Sequence, residues 1–441
     1  MQKRVAEMFA GVGGFRVGLE SLQTGWDTIW ANQWEPGKKS QHAYDAYVAH
    51  FGKDQNYTNV DISTVVKSQV PDFDLLVGGF PCQDYSVAHS GAQGIVGKKG
   101  VLWWDIRDMI RAKFPPFVFL ENVDRLLSSP GPRQRGRDFG MILYTLQQLG
   151  YGVQWRMINA AEYGFPQRRR RVFIFAYRKD TNYYAEVGAK KELREVVLEN
   201  APFNKQMKIK PDLKEETLGR LDEFNDIVEF SDNFTFNFRN TGILHDNDIY
   251  SAKYEADYDG PYTTMGDIML DHVEDETLYI DAKPGRQEKF EYLKGPKRIE
   301  RTSSTGHEYV YSEGGMAFPD AWEKPGRTML TSEKSVNRST HVVRDKETGR
   351  LRFLHPIEAE RLNMFPDNWT DTGMPNNFRY FTMGNALVVG VVAAIGSAID
   401  DIIAKEDELP LGDDYVHGHI EDVDHSTFTQ QLDLDLGLGD E

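Results

Sequence analysis

Residues 5–15, Val5-Ala-Glu-Met-Phe-Ala-Gly-Val-Gly-Gly-Phe15, decide the fold class. The apolar start predicts a β-strand over Val5–Phe9, the glycines at positions 11, 13 and 14 predict a tight turn, and Phe15–Ser21 has a helical pattern. A strand that turns directly into a helix brings backbone amides and the helix N-terminus close to a nucleotide-like ligand. Because glycine turns also occur for packing, and the Gly-x-Gly-x-x-Gly spacing is not met, this turn alone is a weak signal.

Three further short apolar stretches predict strands: Asp74–Val77, Phe117–Leu120 and Arg171–Ala176. Helical patterns such as Phe139–Leu149 lie between them. Strands that alternate with helices are typical of a Rossmann-like, doubly wound, mainly parallel sheet, in which sites form at the carboxyl ends of strands. The sequence therefore predicts an α/β fold with its chemistry in the loops that follow the strands.

The same patterns divide the chain into four parts. Residues 1–180 alternate strands and helices, whereas 181–345 mix polar, aromatic and charged residues without a clear period and predict a smaller, irregular, β-rich domain. Over 346–404 the regular pattern returns, and its apolar stretch 386–403 predicts a buried helix that rejoins the first domain. Residues 405–441 are acidic and predict a flexible tail.

Hydropathy indicates neither a membrane span nor a leader. The longest apolar run, 386–399, has about fourteen residues, whereas a bilayer span needs roughly 20. The N-terminus lacks the apolar stretch of a signal peptide. We therefore expect a cytoplasmic protein with no membrane partner.

The net charge of −17 does not exclude nucleic acid as a partner. Twelve of the acidic residues lie in 406–441, which has no Lys or Arg, and the rest of the chain carries −5. Arginines cluster at 168–171. A locally basic cleft can still bind phosphate because distant charge is screened.

Cys82 is the single cysteine, which excludes an intramolecular disulfide and a cysteine-rich zinc site, and we expect no metal. It lies in Gly78–Ser86, directly after a predicted strand. A lone cysteine is commonly a small buried apolar residue, but one in a Gly/Pro-containing loop at a strand end suits a nucleophile. A cysteine hydrolase would also need a histidine base, and the nearest, His89, lies in a loop with no partner pattern.

A carboxylate and an amide, Glu121 and Asn122, follow another predicted strand. In an enclosed pocket Glu121 could share a proton with a ring nitrogen of a substrate. The structural alternatives are that Glu121 caps the next helix or pairs with Arg125.

Four consecutive arginines, 168–171, lead into the strand over Arg171–Ala176. Alternation along a strand places Arg169 and Arg171 on one side, and Arg168 and Arg170 on the other. One pair can then enter a site while the other contacts phosphate or acidic neighbours. A solvated basic patch is the alternative, but it explains poorly why the run continues into an apolar strand.

Taken together, these segments resemble the DNA (cytosine-5) methyltransferase family of the bacterial restriction-modification type. The motifs that match, in order, are Phe9-x-Gly-x-Gly-Gly14, Pro81-Cys-Gln83, Glu121-Asn-Val123, Gln167-x-Arg-x-Arg171, Phe353–Leu362 and Arg379–Ala386. The resemblance covers 4–178 and 350–403. It implies a class I S-adenosylmethionine-dependent methyltransferase fold, with 181–345 in the place of the target recognition domain.

The resemblance implies a role for each matched residue. Cys82 would attack C6 of a cytosine that is flipped out of duplex DNA, and Glu121 would contact N3 and the exocyclic amine. Arg169 and Arg171 would hold the substrate, and Asn122 would support the loop. The product would be cytosine methylated at C5.

The cofactor implied by the resemblance is S-adenosyl-L-methionine. The residues implied to bind it are Phe9, Gly11, Val12, Gly13, Gln33, Trp34, Glu35, Asp61, Ile62, Pro81, Asn385 and Ala386. In much of the family an acid precedes the tryptophan and grips the ribose. Here Gln33 precedes Trp34, so either Gln33 or Glu35 makes that contact.

Double-stranded DNA is the expected partner, and its candidate contacts are Gln83, Ser86, Arg168, Arg298, Arg301, Ser303, Arg327 and Thr328. Two alternatives are a tRNA methyltransferase relative, whose variable region would be smaller than the roughly 165 residues here, and a silent DNA-binding regulator, which would be expected to lose Cys82 or Glu121. We also expect a monomer, bacterial or phage-encoded, and a cognate restriction endonuclease that acts on the same site.

Overall fold

The computed structural model describes residues 1–80, 101–131, 134–224, 227–303 and 306–412. These residues form two compact units. The first contains 1–159, 170–259 and the chain from 391 onward, and the second contains 160–169 and 260–390.

The first unit is built on a ten-stranded sheet. Its strands are β1 (Arg4–Met8), β2 (Asp27–Asn32), β3 (Tyr57–Thr58), β4 (Leu75–Gly79), β5 (Phe117–Val123), β6 (Tyr151–Asn159), β7 (Arg170–Arg178), β8 (Glu215–Arg220), β9 (Thr241–His245) and β10 (Asp248–Lys253). Its α-helices are α1 (Gly14–Glu20), α2 (His42–Phe51), α3 (Val101–Lys113), α4 (Arg137–Gln148), α5 (Asn182–Gly188), α6 (Leu193–Glu195) and α7 (Ile227–Asn233).

Half of the sheet is parallel, in the order β3-β2-β1-β4-β5. The side chains of Leu75–Val77 and Phe117–Leu120 are all fully buried, as expected where helices cover both faces of parallel strands. On one side Phe139 of α4 contacts the rings of Trp155 and Phe238 edge to face, at centroid distances of 5.1 and 4.8 Å. The α/β fold predicted from the sequence is confirmed.

The other half of the sheet is antiparallel, in the order β7-β6-β9-β10-β8, and β7 also runs antiparallel to β5. The prediction of a mainly parallel sheet therefore holds for five strands. Within the described connection 160–169, the only regular element is a short 3-10 helix, so β6 and β7 pair as antiparallel neighbours.

The two units divide the chain at other places than the sequence patterns do. Residues 181–259, expected in the second domain, belong to the first unit because β8, β9 and β10 extend its sheet. Residues 346–390, expected in the first domain, belong to the second unit.

The second unit has short strands and a small apolar core. Its elements are α8 (Met265–Ile268), α9 (Arg286–Lys294), β11 (Lys297–Thr302), β12 (Glu308–Glu313), β13 (Val343–Arg344), β14 (Leu351–Arg352), α10 (Pro356–Leu362) and α11 (Asn376–Asn385). Its buried apolar cluster consists of Val273, Leu278, Ile280, Phe290, Val342 and Phe353. Other buried apolar residues include Met329, Leu362 and Met383, and a buried ion-pair cluster joins Arg352 to Asp345 and Glu358.

The predicted apolar helix is present as α12 (Val389–Ile403), of which 391–403 belong to the first unit. A methyl group on Gly396 would lie 2.6 Å from Leu19, so glycine permits close packing on α1. The helical stretch Asn376–Ile403 is long and apolar enough to cross a membrane, but 72% of its most apolar window is buried inside the protein. A core helix has that property.

The predicted flexible tail is wrong for residues 405–412. Glu406 is buried and accepts the backbone N–H groups of Asn182 (2.7 Å) and Tyr183 (2.8 Å). The carbonyl of Pro410 accepts a hydrogen bond of 2.9 Å from Arg178. The remainder of the predicted tail, 413–441, lies outside the described residues.

Candidate active site at the carboxyl ends of the strands

The glycine turn after β1 has the backbone geometry that its sequence predicts. Phe9, Gly11 and Gly13 all have positive φ (55°, 58° and 87°), and Val12 between the glycines is buried. A Cβ on Gly13 would lie 2.5 Å from the ring of Phe51, so only glycine fits there. The turn leads directly into α1, with its backbone amides at the carboxyl edge of the sheet.

The loop after β2 is joined to that turn through Gln33. The Gln33 side-chain oxygen accepts the N–H of Gly11 at 2.7 Å. Gln41 accepts the N–H of Glu35 at 2.7 Å and donates to its carbonyl at 2.9 Å, and Trp34 is half-buried. The Glu35 Oε2 atom is buried and has no hydrogen-bond partner among the described residues. Glu35 thus offers a carboxylate oxygen that is ready to accept a hydrogen bond.

Asp61 and Ile62 follow β3. The Asp61 side chain accepts hydrogen bonds from the N–H and the hydroxyl of Ser63, at 3.0 and 2.9 Å, and so caps a short 3-10 helix. Ile62 is buried. Asn32 at the end of β2 donates to the carbonyl of Val60 at 3.0 Å, which holds this loop against its neighbour.

Two glycines end β4 where the predicted nucleophile loop begins. A Cβ on Gly78 would lie 2.7 Å from the carbonyl oxygen of Met8, and one on Gly79 would lie 3.0 Å from Glu121 Oε2. The end of β4 therefore lies directly against the Glu121 carboxylate. The predicted site residues Pro81, Cys82, Gln83 and Ser86 lie outside the described residues.

Glu121 forms an ion pair with Arg171. Arg171 Nε lies 2.6 Å from Glu121 Oε1, and the two side chains are 17% and 12% exposed. The sheet register pairs Arg171 with Val123, so Glu121 is its diagonal neighbour on the same face. Arg171, rather than the exposed Arg125, is the partner.

Asn122 is buried and is bonded to the residue that follows β4. Its side-chain nitrogen donates to the carbonyl of Phe80 at 3.2 Å, and its oxygen accepts the N–H of Val123 at 2.8 Å. Because Phe80 is the last described residue before the loop, Asn122 holds the backbone there. This agrees with the loop-supporting role implied for it.

Arg169 lies outside the strand that carries Arg171. Strand β7 begins at Arg170, so the alternation assumed for the arginine run does not extend to Arg168 and Arg169. Arg169 belongs to the second unit and is buried, and its guanidinium donates to the carbonyls of Met329 (3.1 Å) and Gly384 (2.9 Å). Only Arg171 of the predicted pair contacts Glu121 among the described residues.

Sequence analysis missed the structural importance of Gln167. Its side chain is fully buried, accepts the N–H of Met329 at 3.0 Å and donates to Asn363 at 2.9 Å. Asn363 in turn donates to the carbonyl of Met383 at 2.9 Å. Its only signal in the sequence was its place at the head of the Gln-x-Arg-x-Arg motif.

Asn385 and Ala386 also lie in the second unit, at the end of α11. Asn385 is exposed, and the N–H of Ala386 donates to the carbonyl of Thr382 at 2.9 Å. A Cβ on Gly384 would lie 2.4 Å from the backbone nitrogen of Thr331, so the chain requires glycine at that contact.

The structure separates the predicted DNA contacts of the second unit into two groups. The side chain of Arg327 is occupied within the unit and does not project as a predicted DNA contact would. Its guanidinium forms a two-point ion pair with Asp320 (2.7 and 3.0 Å) and also donates to the carbonyls of Ser339 and Thr340. Such an arrangement stabilises the unit from within. Thr328 likewise donates to the carbonyl of Arg168.

The other predicted contacts are more accessible. Arg168 is exposed, as are Arg298 and Arg301 on β11, and Ser303 is half-buried directly after that strand. The Arg301 guanidinium lies 4.1 Å from the centroid of the Tyr311 ring.

A buried carboxylate beneath the glycine turn was also missed. Glu7 on β1 is fully buried and accepts a hydrogen bond of 3.1 Å from the hydroxyl of Tyr47. Burial raises the pKa of Glu7 to about 7, with Tyr47 and Arg16 opposing that shift. In the sequence, the only sign of this buried carboxylate is the position of Glu7 within an apolar strand.

The strand order β3-β2-β1-β4-β5-β7-β6, in which β7 runs opposite to the other six strands, with a glycine turn after β1, defines a class I methyltransferase. In such sheets ligands bind at the carboxyl ends of the strands. The turn after β1 and the Glu121–Arg171 pair after β5 both lie at that edge.

The chain belongs to the family of C-5 cytosine-specific DNA methylases, which matches residues 3–401. It is 49% identical over 404 residues to the type II methyltransferase M.Sau3AI of Staphylococcus aureus, covering 90% of this chain and 96% of the relative. The type II methyltransferase M.HhaI of Haemophilus parahaemolyticus is 35% identical over 180 residues, which span 41% of this chain and half of that relative.

Among solved structures, the fold is similar to that of the S. pombe Dnmt2 methyltransferase, with a TM-score of 0.58 at 13% identity over 91% of this chain and 99% of that one. The family match makes this protein a DNA (cytosine-5-)-methyltransferase, in a family whose members depend on S-adenosylmethionine.

Proposed function

We propose that the chain methylates C5 of a flipped cytosine within a specific sequence of duplex DNA, through a covalent bond between Cys82 and C6. The observation that carries this proposal is the Glu121–Arg171 ion pair (2.6 Å) at the carboxyl end of β5. Gly79, at the end of β4, lies against the same carboxylate. The chain runs from there within three residues to Cys82.

The chemistry requires each of these groups. The C5 carbon of cytosine is a weak nucleophile, and addition of the Cys82 thiolate to C6 turns it into an enamine-like carbon. Glu121 contacts N3 and the exocyclic amine and shares a proton with N3 as the adduct forms. Arg171 fixes the orientation of that carboxylate. That carbon takes the methyl group, and transfer of the C5 proton to a base, with departure of the Cys82 thiolate from C6, then restores the ring of the methylated base.

The residues at the β1 and β2 ends fit S-adenosylmethionine, which supplies an electrophilic methyl group. The positive φ of Gly11 and Gly13 forms a tight turn directly before α1 at this edge of the sheet. The buried, unpartnered oxygen of Glu35 suits a ribose hydroxyl, which must donate. Because the Gln33 oxygen is already occupied by the Gly11 N–H, we assign the ribose contact to Glu35.

The remaining cofactor and substrate assignments extend the same proposal. The other residues proposed to bind the cofactor are Phe9, Val12, Trp34, Asp61, Ile62 and Pro81, to which the resemblance adds Asn385 and Ala386. The candidate DNA contacts are Gln83, Ser86, Arg168, Arg298, Arg301, Ser303 and Thr328. Arg169 positions the 328–331 segment by its bonds to Met329 and Gly384. The unit of 260–390 takes the part of the target recognition domain.

The biological setting follows from the relatives. Two of them are named type II methyltransferases, which supports a role as the modification half of a restriction-modification system. We propose a cytoplasmic monomer whose cognate endonuclease acts on the same DNA site.

The decisive experiment measures transfer of radiolabelled methyl from S-adenosylmethionine to mixed-sequence duplex DNA, with Cys82→Ala as a control and tRNA as a second substrate. Label in the duplex that disappears with Cys82→Ala is the expected result. Undiminished transfer by Cys82→Ala would overturn the covalent mechanism. Label only in tRNA would instead support the tRNA methyltransferase alternative.

A further inference from the structure

The antiparallel hairpin of β11 and β12 has one face that is exposed along its whole length. Directly opposed residues in an antiparallel pair share a face. The register places on this face, all of them exposed, Arg298 with Ser312, Glu300 with Val310 and Thr302 with Glu308. Val310 is 45% exposed, which is a high value for a strand valine. We call this surface the open face of the hairpin.

The opposite face is only partly buried, since Arg301 and Tyr309 on it are exposed. Ile299 and Tyr311 are half-buried there, and the guanidinium of Arg301 covers the Tyr311 ring. At the base, Arg338 lies 3.3 Å from Glu313 and also donates to the carbonyl of Gly314. Because an isolated two-stranded hairpin is marginally stable in water, these contacts explain how the hairpin holds its shape while the open face stays exposed.

The dimensions of the hairpin fit one groove of DNA. Each strand has six residues, which corresponds to a ribbon of about 20 Å with strands about 4.8 Å apart. The major groove of B-DNA is about 12 Å wide and admits a two-stranded ribbon. The minor groove is about 6 Å wide and distinguishes little beyond A·T from G·C pairs.

The chemistry of the open face favours base edges over phosphates. A phosphate-binding surface is cationic, whereas this face has one arginine and two glutamates beside Thr302, Ser312 and Val310. Guanidinium and hydroxyl donors, carboxylate acceptors and an apolar side chain are the groups that distinguish base pairs in the major groove. The face is therefore suited to discriminate between sequences.

We propose that the hairpin lies in the major groove of the substrate duplex with its open face toward the bases, and that Arg298 reads a guanine through O6 and N7. This inference rests on the proposed function. Arg298 differs from two other arginines predicted to contact DNA in the second unit, since Arg327 is paired with Asp320 and Arg301 lies over the Tyr311 ring. Arg298 is a specificity-determining residue in this arrangement.

The test compares the full-length wild-type protein with Arg298→Ala, Arg298→Lys and a control, Lys289→Ala, which removes an exposed cation on α9 outside the hairpin. The substrates are duplex oligonucleotides with the methylated site found by bisulfite sequencing, and a set in which each base pair is replaced in turn. Melting temperatures show that each variant is folded.

Arg298→Ala should lower kcat/KM on the intact site by roughly 5- to 150-fold, the range expected for loss of one two-point base contact. It should also make the enzyme indifferent to one G·C pair that the wild type requires. Arg298→Lys keeps the charge but not the planar fork, so it should lose the same discrimination. Lys289→Ala should keep the wild-type pattern.

Two results would overturn the proposal while leaving the methyltransferase function intact. One is an unchanged base preference in Arg298→Ala, and the other is an equal loss on every sequence, as for a phosphate contact. A wild-type protein that binds S-adenosylmethionine but methylates no DNA in the set would instead refute the proposed function, and the inference with it.

Discussion

The two units of the molecule are stabilised differently. The first has an extensive apolar core, in which strands such as β4 and β5 are buried on both faces. The second also buries many apolar side chains, but its interior includes a charged cluster in which fully buried Arg352 contacts Asp345 at 3.0 Å and Glu358 at 2.8 Å. In the first unit the polar groups at the strand ends are therefore available for chemistry, whereas in the second many of them maintain the fold.

The sharpest test of this difference is Glu121→Gln. The amide keeps the shape but cannot share a proton as a carboxylate does, so methyl transfer should fall by roughly 10²- to 10⁴-fold. The rate is measured in a single turnover with labelled S-adenosylmethionine and target duplex. Asp124→Asn, three residues further on, is the matched control and should keep the wild-type rate. Near-normal transfer by Glu121→Gln would show that its pairing with Arg171 is only structural.

The counterpart in the second unit is Glu358→Gln. This change leaves the charge of Arg352 incompletely compensated in a fully buried site, so the unit should lose about 3–5 kcal/mol of stability. Hydrogen exchange of peptides from 343–362, compared with peptides from β1 and β5, reports the change for each unit. Glu276→Gln removes a charge from an exposed pair with Arg350 and serves as the control. Equal exchange in the two variants would contradict the comparison.

The pH dependence should be opposite in the two units. Burial raises the pKa of Glu7 to about 7. Between pH 4.5 and 7 the folded first unit therefore binds more protons than the unfolded chain. Its free energy of unfolding should increase as the pH falls through this range, by about 3 kcal/mol at most. In the second unit, burial alone would raise the pKa of Asp345. Hydrogen bonds from Thr348 and Arg352 outweigh burial and hold that pKa well below its usual range. Its contribution is present above pH about 4 and is lost as the pH falls further.

Urea denaturation at pH 5 and 7.5 checks the first part of this prediction. Glu7→Gln keeps an acceptor for the Tyr47 hydroxyl but cannot ionise, so its stability should no longer decrease over that range. Glu20→Gln on α1, a carboxylate at a more exposed site, should behave like the wild type. A Glu7→Gln variant with the wild-type pH dependence would rule out Glu7 as the cause.

The smallest expected effect is that of Arg168→Ala. Arg168 is exposed, and its backbone N–H and carbonyl bond Gly326 and Thr328, so its side chain is available for a phosphate. Its loss should weaken DNA binding equally for all sequences and reduce the salt slope of the affinity by about 1. Binding titrations at several salt concentrations measure both quantities. A change in base preference would instead make Arg168 a base contact.

Much of the catalytic unit was predictable from the sequence because its signals are local. The glycines at 11 and 13 directly after an apolar stretch predict the turn, and Glu121-Asn122 after another apolar stretch predict the polar groups at the strand end. The order of these motifs sufficed to predict the family and the α/β fold.

Only the tertiary structure decided the features that depend on distant segments. The membership of β8, β9 and β10 in the large sheet depends on pairing of β9 with β6, about 90 residues earlier in the chain. The different contacts of Arg169 and Arg171 depend on where β7 begins and on Met329 and Gly384. The ion pair of Arg327 with Asp320 changed its predicted role in the same way. Local patterns state which groups a loop carries, but the partner of a long charged side chain is set by the folded chain around it.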